Sequence, residues 1–402
     1  MYQRYQDAMA LVNKYGKPDL FITMTCNPLW DEIVSELLPG QDPQDRPDLM
    51  TRIFRAKYEE LKKDIFTEGA LGKVAAHVHV IEFQKRGLPH VHMLIIFKDE
   101  DKLTNPDEYD EIVRAEIPDS KEESELHVAV MKWMIHGPCG TQNRNCPCMK
   151  NGSCKREYPR QFSNVTIQGT DSYPIYRRRD TGKSIPIDRN EKLMVDNRWV
   201  VPYNPWLLRK YNCHINVEIC SSIKSVKYLY KYVYKGPDRI TMQVRPGPNY
   251  DEIQQFIDAR WISAPEALWK IFRFSLSKIY PSVERLQIHL PNKQSVMFSN
   301  DQTINEVLAD ESNLHTMLTE FFYTNSIDEQ ARQLLYREFP EHYCWIKNEK
   351  KWKRRVSNVS VIGRIYTVLP TEGEHFFLRI LLNHIRGPTF FNDLLTVDEV
   401  RS

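Results

Sequence analysis

The stretch "VIEFQKRGLPHVHMLIIF", Val80 to Phe97, decides how the first half of this chain folds. Two runs rich in branched and aromatic residues, Lys73 to Gln84 and His90 to Phe97, flank "KRGLP", a turn composition that joins antiparallel strands. Side chains alternate across a strand, so His90 and His92 point to one face. Two imidazoles so placed can bind one divalent cation and leave positions open for a substrate. With the loop centred on Gly87, Glu82 and Gln84 lie opposite His92 and His90 and offer an oxygen ligand from the other arm. His77 and His79 then project to the opposite face with Ile81 and Phe83. A one-residue slip reverses these assignments. The first register is preferred because it keeps Phe83 on an apolar face and a carboxylate beside the imidazoles. Periodicity alone also accommodates a blander reading, two polar residues on a half-exposed strand.

Upstream of the hairpin, Gln6 to Tyr15 reads as a helix ended by "GKPD", and "LFITMTCNP" as a strand stopped by Asn27-Pro28. Residues 49–66 carry apolar groups at helical spacing. Downstream, residues 99–198 are polar, first acidic and then rich in Cys and Arg, and read as an insertion on the first fold. "CHINVEIC" resumes strand character, and "SSIKSVKYLYKYVYKG" reads as a helix stopped by Gly236. Beyond Pro237 the pattern turns helical, including "APEALWKIFRFSL", "TINEVLADESNLHTMLTEFFYTN" and "DEQARQLLYREF". The expected organisation is therefore an α/β (α+β) domain over 1–236 and a helical part over 237–402. Its central sheet is mainly antiparallel and flanked by helices.

Composition narrows the partners. The 402 residues carry a net charge of only +2, with ordinary apolar and charged fractions, so disorder is not expected. No segment approaches the ~20 apolar residues of a membrane span, and the N-terminus has no signal-peptide core. Basic groups are nonetheless clustered, at Arg177 to Arg179, at Lys350 to Arg355 and in the lysine-tyrosine tract 224–235. Cations interleaved with aromatic rings suit single-stranded nucleic acid, whose phosphates need charge and whose bases need stacking surfaces. "TGKS" at Thr181 lacks the upstream glycine of a phosphate-binding loop, so nothing here points to ATP.

The tract "KSVKYLYKYVYKG" holds two tyrosine pairs at i, i+4: Tyr228 with Tyr232, and Tyr230 with Tyr234. They flank a stripe of Lys224, Lys227, Lys231 and Lys235, and helical geometry does not choose between them. A phenol with a pKa of ~10 needs a nearby cation, metal or base to attack phosphorus.

Together the His-x-His strand, the hairpin acid and the paired tyrosines resemble the HUH endonucleases of rolling-circle replication. The wording is closest to the Rep region of Helitron transposases, through "LFITMTCNPLW", "VIEFQKRGLPHVHML", "CHINVEICSSIKSVKYLYKYVYKG", "DARWISAPEALWKIF" and "GRIYTVLPTEGEHFFLRILLNHIRGP". The resemblance makes His90 and His92 metal ligands, Glu82 the hairpin acid with Gln84 as its rival, and Tyr228 and Tyr232 the nucleophiles with Lys231 between them. It brings Thr23, Thr25 and Asn27 near DNA, where Lys227 and Lys235 are further candidate contacts. It implies Mg2+ or Mn2+, a single-stranded DNA substrate, a 5′-phosphotyrosine intermediate and a nuclear location. Helitron proteins continue into a helicase, and the expectation for this chain is that it lacks that domain. The alternative expectation is a single-stranded DNA-binding remnant without catalysis.

Four of the eight cysteines, Cys139, Cys146, Cys148 and Cys154, fall close together and suggest structural zinc more than disulfides. Their spacing is not a standard pair of C-x2-C motifs, and His136, Cys213 and His214 are substitute ligands.

Overall fold

The computed structural model describes residues 2–84, 87–169, 173–187, 193–221, 262–296, 303, 305, 309–397 and 400–401. The chain forms two units, Met1–Ala8 with Tyr15–Lys278, and Met9–Lys14 with Ile279–Ser402. The boundary expected between residues 236 and 237 lies outside the described residues.

The four expected strands join one sheet with a fifth, Ser277–Tyr280, that falls in the part read as helical. β1 (Leu20–Thr25), β2 (Val74–Phe83), β3 (Pro89–Phe97), β4 (Ile215–Ile219) and β5 (Ser277–Tyr280) form one sheet in the order β4-β1-β3-β2-β5. The β4-β1, β1-β3 and β3-β2 pairings are antiparallel. Alternation sends Leu20, Ile22, Met24, Val91, Met93, Ile95, Ile215 and Val217 to one face, where they join a single core. Helix α1 (Pro47–Lys62) covers that core with Leu49, Met50, Phe54, Tyr58 and Leu61, an i, i+3/i+4 stripe started by proline in the first turn. A π-turn, Lys63–Thr67, ends the helix and carries Asp64 inward, where it accepts hydrogen bonds from Lys210 Nζ and Tyr211 Oη.

Residues 99–198 are more than surface. Leu103, Tyr109, Val113, Leu126 and Val130 belong to the same core as the sheet. The triple-arginine run, grouped by sequence with nucleic-acid-binding charge, is built into this region. Arg178 is buried, and its Nη1 donates to the carbonyls of Ala115, Asn197 and Val200 at 3.2, 2.7 and 2.7 Å. Arg179 grips Glu116 with Nε and Nη2, and Arg177 pairs with Asp110. Arg178 stitches loops together because a buried cation must be hydrogen-bonded, while Arg177 and Arg179 are held by ion pairs nearer the surface.

His77 and His79 lie on the apolar face with Ile81, as the alternation predicted. His77 stacks on Phe66 with ring centroids 3.8 Å apart, and Tyr58 meets His79 edge-on at 5.4 Å. Burial, aided by the Lys278 and Lys62 charges, holds His77 down to about 3. The unfolded chain protonates His77 at about 6.5, so its contribution to stability is full above that pH. It is lost as pH falls from there toward about 3. Denaturant titrations of His77→Leu should therefore lose stability less steeply than the parent between pH ~6.5 and ~5, where most carboxylates stay ionised. An unchanged slope would refute the assignment.

The second unit has its own core, which includes Leu286, Phe321, Tyr336, Phe339, Trp352 and Leu382. Its helices α2 (Met317–Ile327) and α3 (Glu374–His384) agree with the helical reading, but α2 starts well after Thr303, where that reading began, because Thr316 caps it and a 3-10 turn, Glu311–Leu314, precedes it. Two strand pairs add to it: β6 (Ser282–Leu286) runs parallel to β9 (Val361–Ile365), and β7 (Tyr343–Ile346) antiparallel to β8 (Lys351–Arg354). Gly363 is required there, since a Cβ would lie 2.2 Å from the Arg337 carbonyl oxygen. "DEQARQLLYREF" forms two 3-10 turns, Ala331–Gln333 and Tyr336–Glu338, where a longer helix was expected. The "KKWKRR" run becomes β8, its Trp352 buried against Phe339 and its Lys351 and Lys353 paired with Glu349.

Candidate functional site

The hairpin closes between Gln84 and Leu88: Gln84 N donates to Leu88 O at 3.0 Å, and Gly87 N to Gln84 O at 2.7 Å. Gly87 has φ +81° in this turn, a conformation that favours glycine. The register opposes Glu82 to His90 and Val80 to His92, which corrects the expected pairing of Glu82 with His92 and Gln84 with His90. The correction is two residues, so the face is preserved. Glu82, His90 and His92 all emerge on the face opposite the core. Gln84 sits just past the strand end and is exposed.

On that face His92 Nε2 lies 3.1 Å from Glu82 Oε2, and the His90 and His92 rings meet edge-on with centroids 4.5 Å apart. The neighbouring strand fixes the first histidine. Thr25 of β1 opposes His90, and its Oγ1 is 2.7 Å from His90 Nδ1. With Nδ1–H donating to Thr25, His90 Nε2 presents its lone pair outward, the arrangement that orients metal-binding histidines. Burial, together with His92, His214 and the Arg156 charge, holds His90 well below its usual range, which keeps it neutral. Two imidazoles and a carboxylate on one face fit a hard or borderline divalent cation. Among the described residues they are not drawn together as closely as the cysteine cluster described below.

Sequence reasoning missed the far half of this face. Thr23 opposes Asn216, and Phe21 opposes Glu218, so β4 adds a second polar row. His214, just before β4, holds the Trp133 carbonyl through Nδ1 at 2.7 Å. Burial pushes the Glu218 carboxyl above its usual range, and Tyr176 and Asn216 hydrogen-bond to it. The signal was available as polar residues at every second position of "HINVEI". Thr23 and Thr25 lie on the same face. Asn27 instead braces the turn after β1, donating to Asn212 O and accepting from Leu29 N, both at 2.8 Å. Tyr228, Tyr232, Lys231, Lys227 and Lys235 lie outside the described residues.

The cysteines gather in part. Cys139, Cys148 and Cys154 meet His136, with all four ligand atoms within 4.8 Å of one another. Cys146 stands outside this group, its Sγ 3.4 Å from that of Cys148. Cys213 is buried in the main core.

Residues 1–95 match the family described as the Helitron helicase-like domain at the N-terminus. The match includes β1 and both arms of the hairpin, and with them Thr23, Thr25, Glu82, His90 and His92. It relates this stretch to Helitron transposases, DNA-transposition proteins, and stops short of the cysteine cluster. No curated protein matches the chain. Among the described residues no helix is long and apolar enough to cross a membrane.

Proposed function

We propose that this chain is a metal-dependent endonuclease and strand transferase of Helitron type, acting in the nucleus on single-stranded DNA. The observation that carries the reading is the pairing of His92 with Glu82, beside Thr25-oriented His90, on one sheet face within the Helitron-matched segment. Bound Mg2+ or Mn2+ would polarise the scissile phosphate and favour a phenolate. Glu82, His90 and His92 would hold that ion, with Gln84 as the rival oxygen donor. Tyr228 or Tyr232 attacks: its Oη–P bond forms, the P–O3′ bond breaks, the phenol proton is lost and the departing 3′-oxygen takes one up. The products are a 5′-phosphotyrosine link and a free 3′-hydroxyl. Lys231 supplies charge beside the phosphate, and the second tyrosine permits a second transfer without release. Such chemistry asks a protein mainly for positioning and charge neutralisation.

The test is a labelled single-stranded oligonucleotide incubated with the chain and Mn2+ or Mg2+. A covalent protein–DNA adduct is expected, and it should vanish in the Tyr228→Phe, Tyr232→Phe double variant. Salt-sensitive binding without cleavage would instead indicate a DNA-binding remnant. Cleavage without an adduct would indicate attack by water.

A further inference from the structure

The segment holding the cysteines has little to fold around. Residues 140–157 are mostly exposed, and the apolar cluster beneath them has only Cys139, Val195 and Trp199 as buried members. Its only regular structure is a two-residue ladder, Met149–Lys150 with Ser153–Cys154, turned by Asn151 and Gly152 at positive φ. A segment that cannot bury a core needs a covalent or metal staple, and in a thiol-rich cluster with one imidazole the natural staple is zinc.

The geometry suits that ion. Tetrahedral zinc, with bonds of ~2.3 Å to sulfur, sets its ligand atoms roughly 3.8 Å apart. His136 Nε2 lies 3.4 Å from Cys154 Sγ, and the whole quartet lies within 4.8 Å. The surroundings resemble those of a ligated thiolate: Arg156 N donates to Cys154 Sγ at 3.3 Å, and the Lys155 and Glu157 amides close the turn onto Cys148 O and Cys154 O at 2.9 Å. His136 stacks on Tyr158 with centroids 4.2 Å apart, which orients its ring.

The cluster also adjoins the histidine face. His136 follows the helix ending at Trp133, whose carbonyl holds His214, and Tyr158 Oη donates to Val200 O.

We propose that His136, Cys139, Cys148 and Cys154 bind one Zn2+, which holds this segment in place of a buried core. Cys146 is a bystander to the ion. Elemental analysis of the purified chain should find one zinc per chain. Release of that zinc by a thiol-reactive mercurial, followed with a metallochromic dye, measures it in the unaltered protein. Cys146→Ser should keep the zinc, whereas Cys148→Ser and His136→Asn should lose it. Absence of zinc from the native chain overturns the proposal, as does retention in His136→Asn with loss in Cys146→Ser.

Discussion

Replacing His92 with alanine is expected to lower the rate of protein–DNA adduct formation by on the order of 10^3-fold or more. The imidazole contacts Glu82, with Nε2 3.1 Å from Oε2, so its loss removes one proposed ligand and the contact that aligns it with the carboxylate. A metal that polarises a phosphoryl oxygen is worth several kcal/mol in the transition state, and each ~1.4 kcal/mol is a factor of ten. His90→Ala should behave alike. The controls matter as much as the effect. His77→Leu, on the opposite face, should leave the rate near that of the parent, because His77 is stacked in the core. Circular dichroism should find His92→Ala folded, and oligonucleotide binding measured without divalent metal should survive. A folded His92→Ala chain that forms the adduct at the parental rate would remove the hairpin from the mechanism.

Trp269→Ala is expected to destabilise the first unit by about 3–5 kcal/mol, the usual cost of emptying a buried aromatic site. Trp269 is fully buried. It belongs to helix Ala264–Ile271, and its ring lies 6.1 Å from Phe54 of α1, 6.0 Å from Phe83 of β2 and 5.2 Å from Phe274. Its Nε1 donates to Ser275 O at 3.3 Å. Removing the indole would leave a void lined by three aromatic rings that cannot all collapse into it. Because the chain has two units, one global midpoint would blur the effect. Amide hydrogen exchange of β3, residues 91–97, reads the first unit directly. Those amides should lose protection in Trp269→Ala while those of α2 in the second unit keep theirs. Equal loss in both units, or none, would contradict the assignment of residues 264–278 to the sheet-bearing unit.

Several features were legible because they are local. Strand alternation put His90, His92 and Glu82 on one face and His77 and His79 on the other, and the two-residue error in register left that intact. The strand at "LFITMT", the α1 stripe and the turn at Gly87 likewise follow from short-range rules of spacing and backbone freedom. Polar alternation in "HINVEI" was equally local, but it gains meaning only once β4 is known to lie beside β1.

Other features depended on partners distant in the chain. A run of three arginines has the same composition whether it faces DNA or holds loops, and only the carbonyls of Ala115, Asn197 and Val200 around Arg178 decide between them. Cysteine spacing could not choose the fourth member of the cluster, because His136 reaches it from the end of a helix while Cys146, in contact with Cys148, stays outside the quartet. Thr25 became the brace of His90 through a pairing across 65 residues. From sequence alone came the faces that the hairpin residues occupy, since dihedral periodicity is set within a few residues. Tertiary structure alone decided the register, the hydrogen-bond partner of each histidine and which charges are consumed internally, because those depend on which distant segments pack together and exclude water.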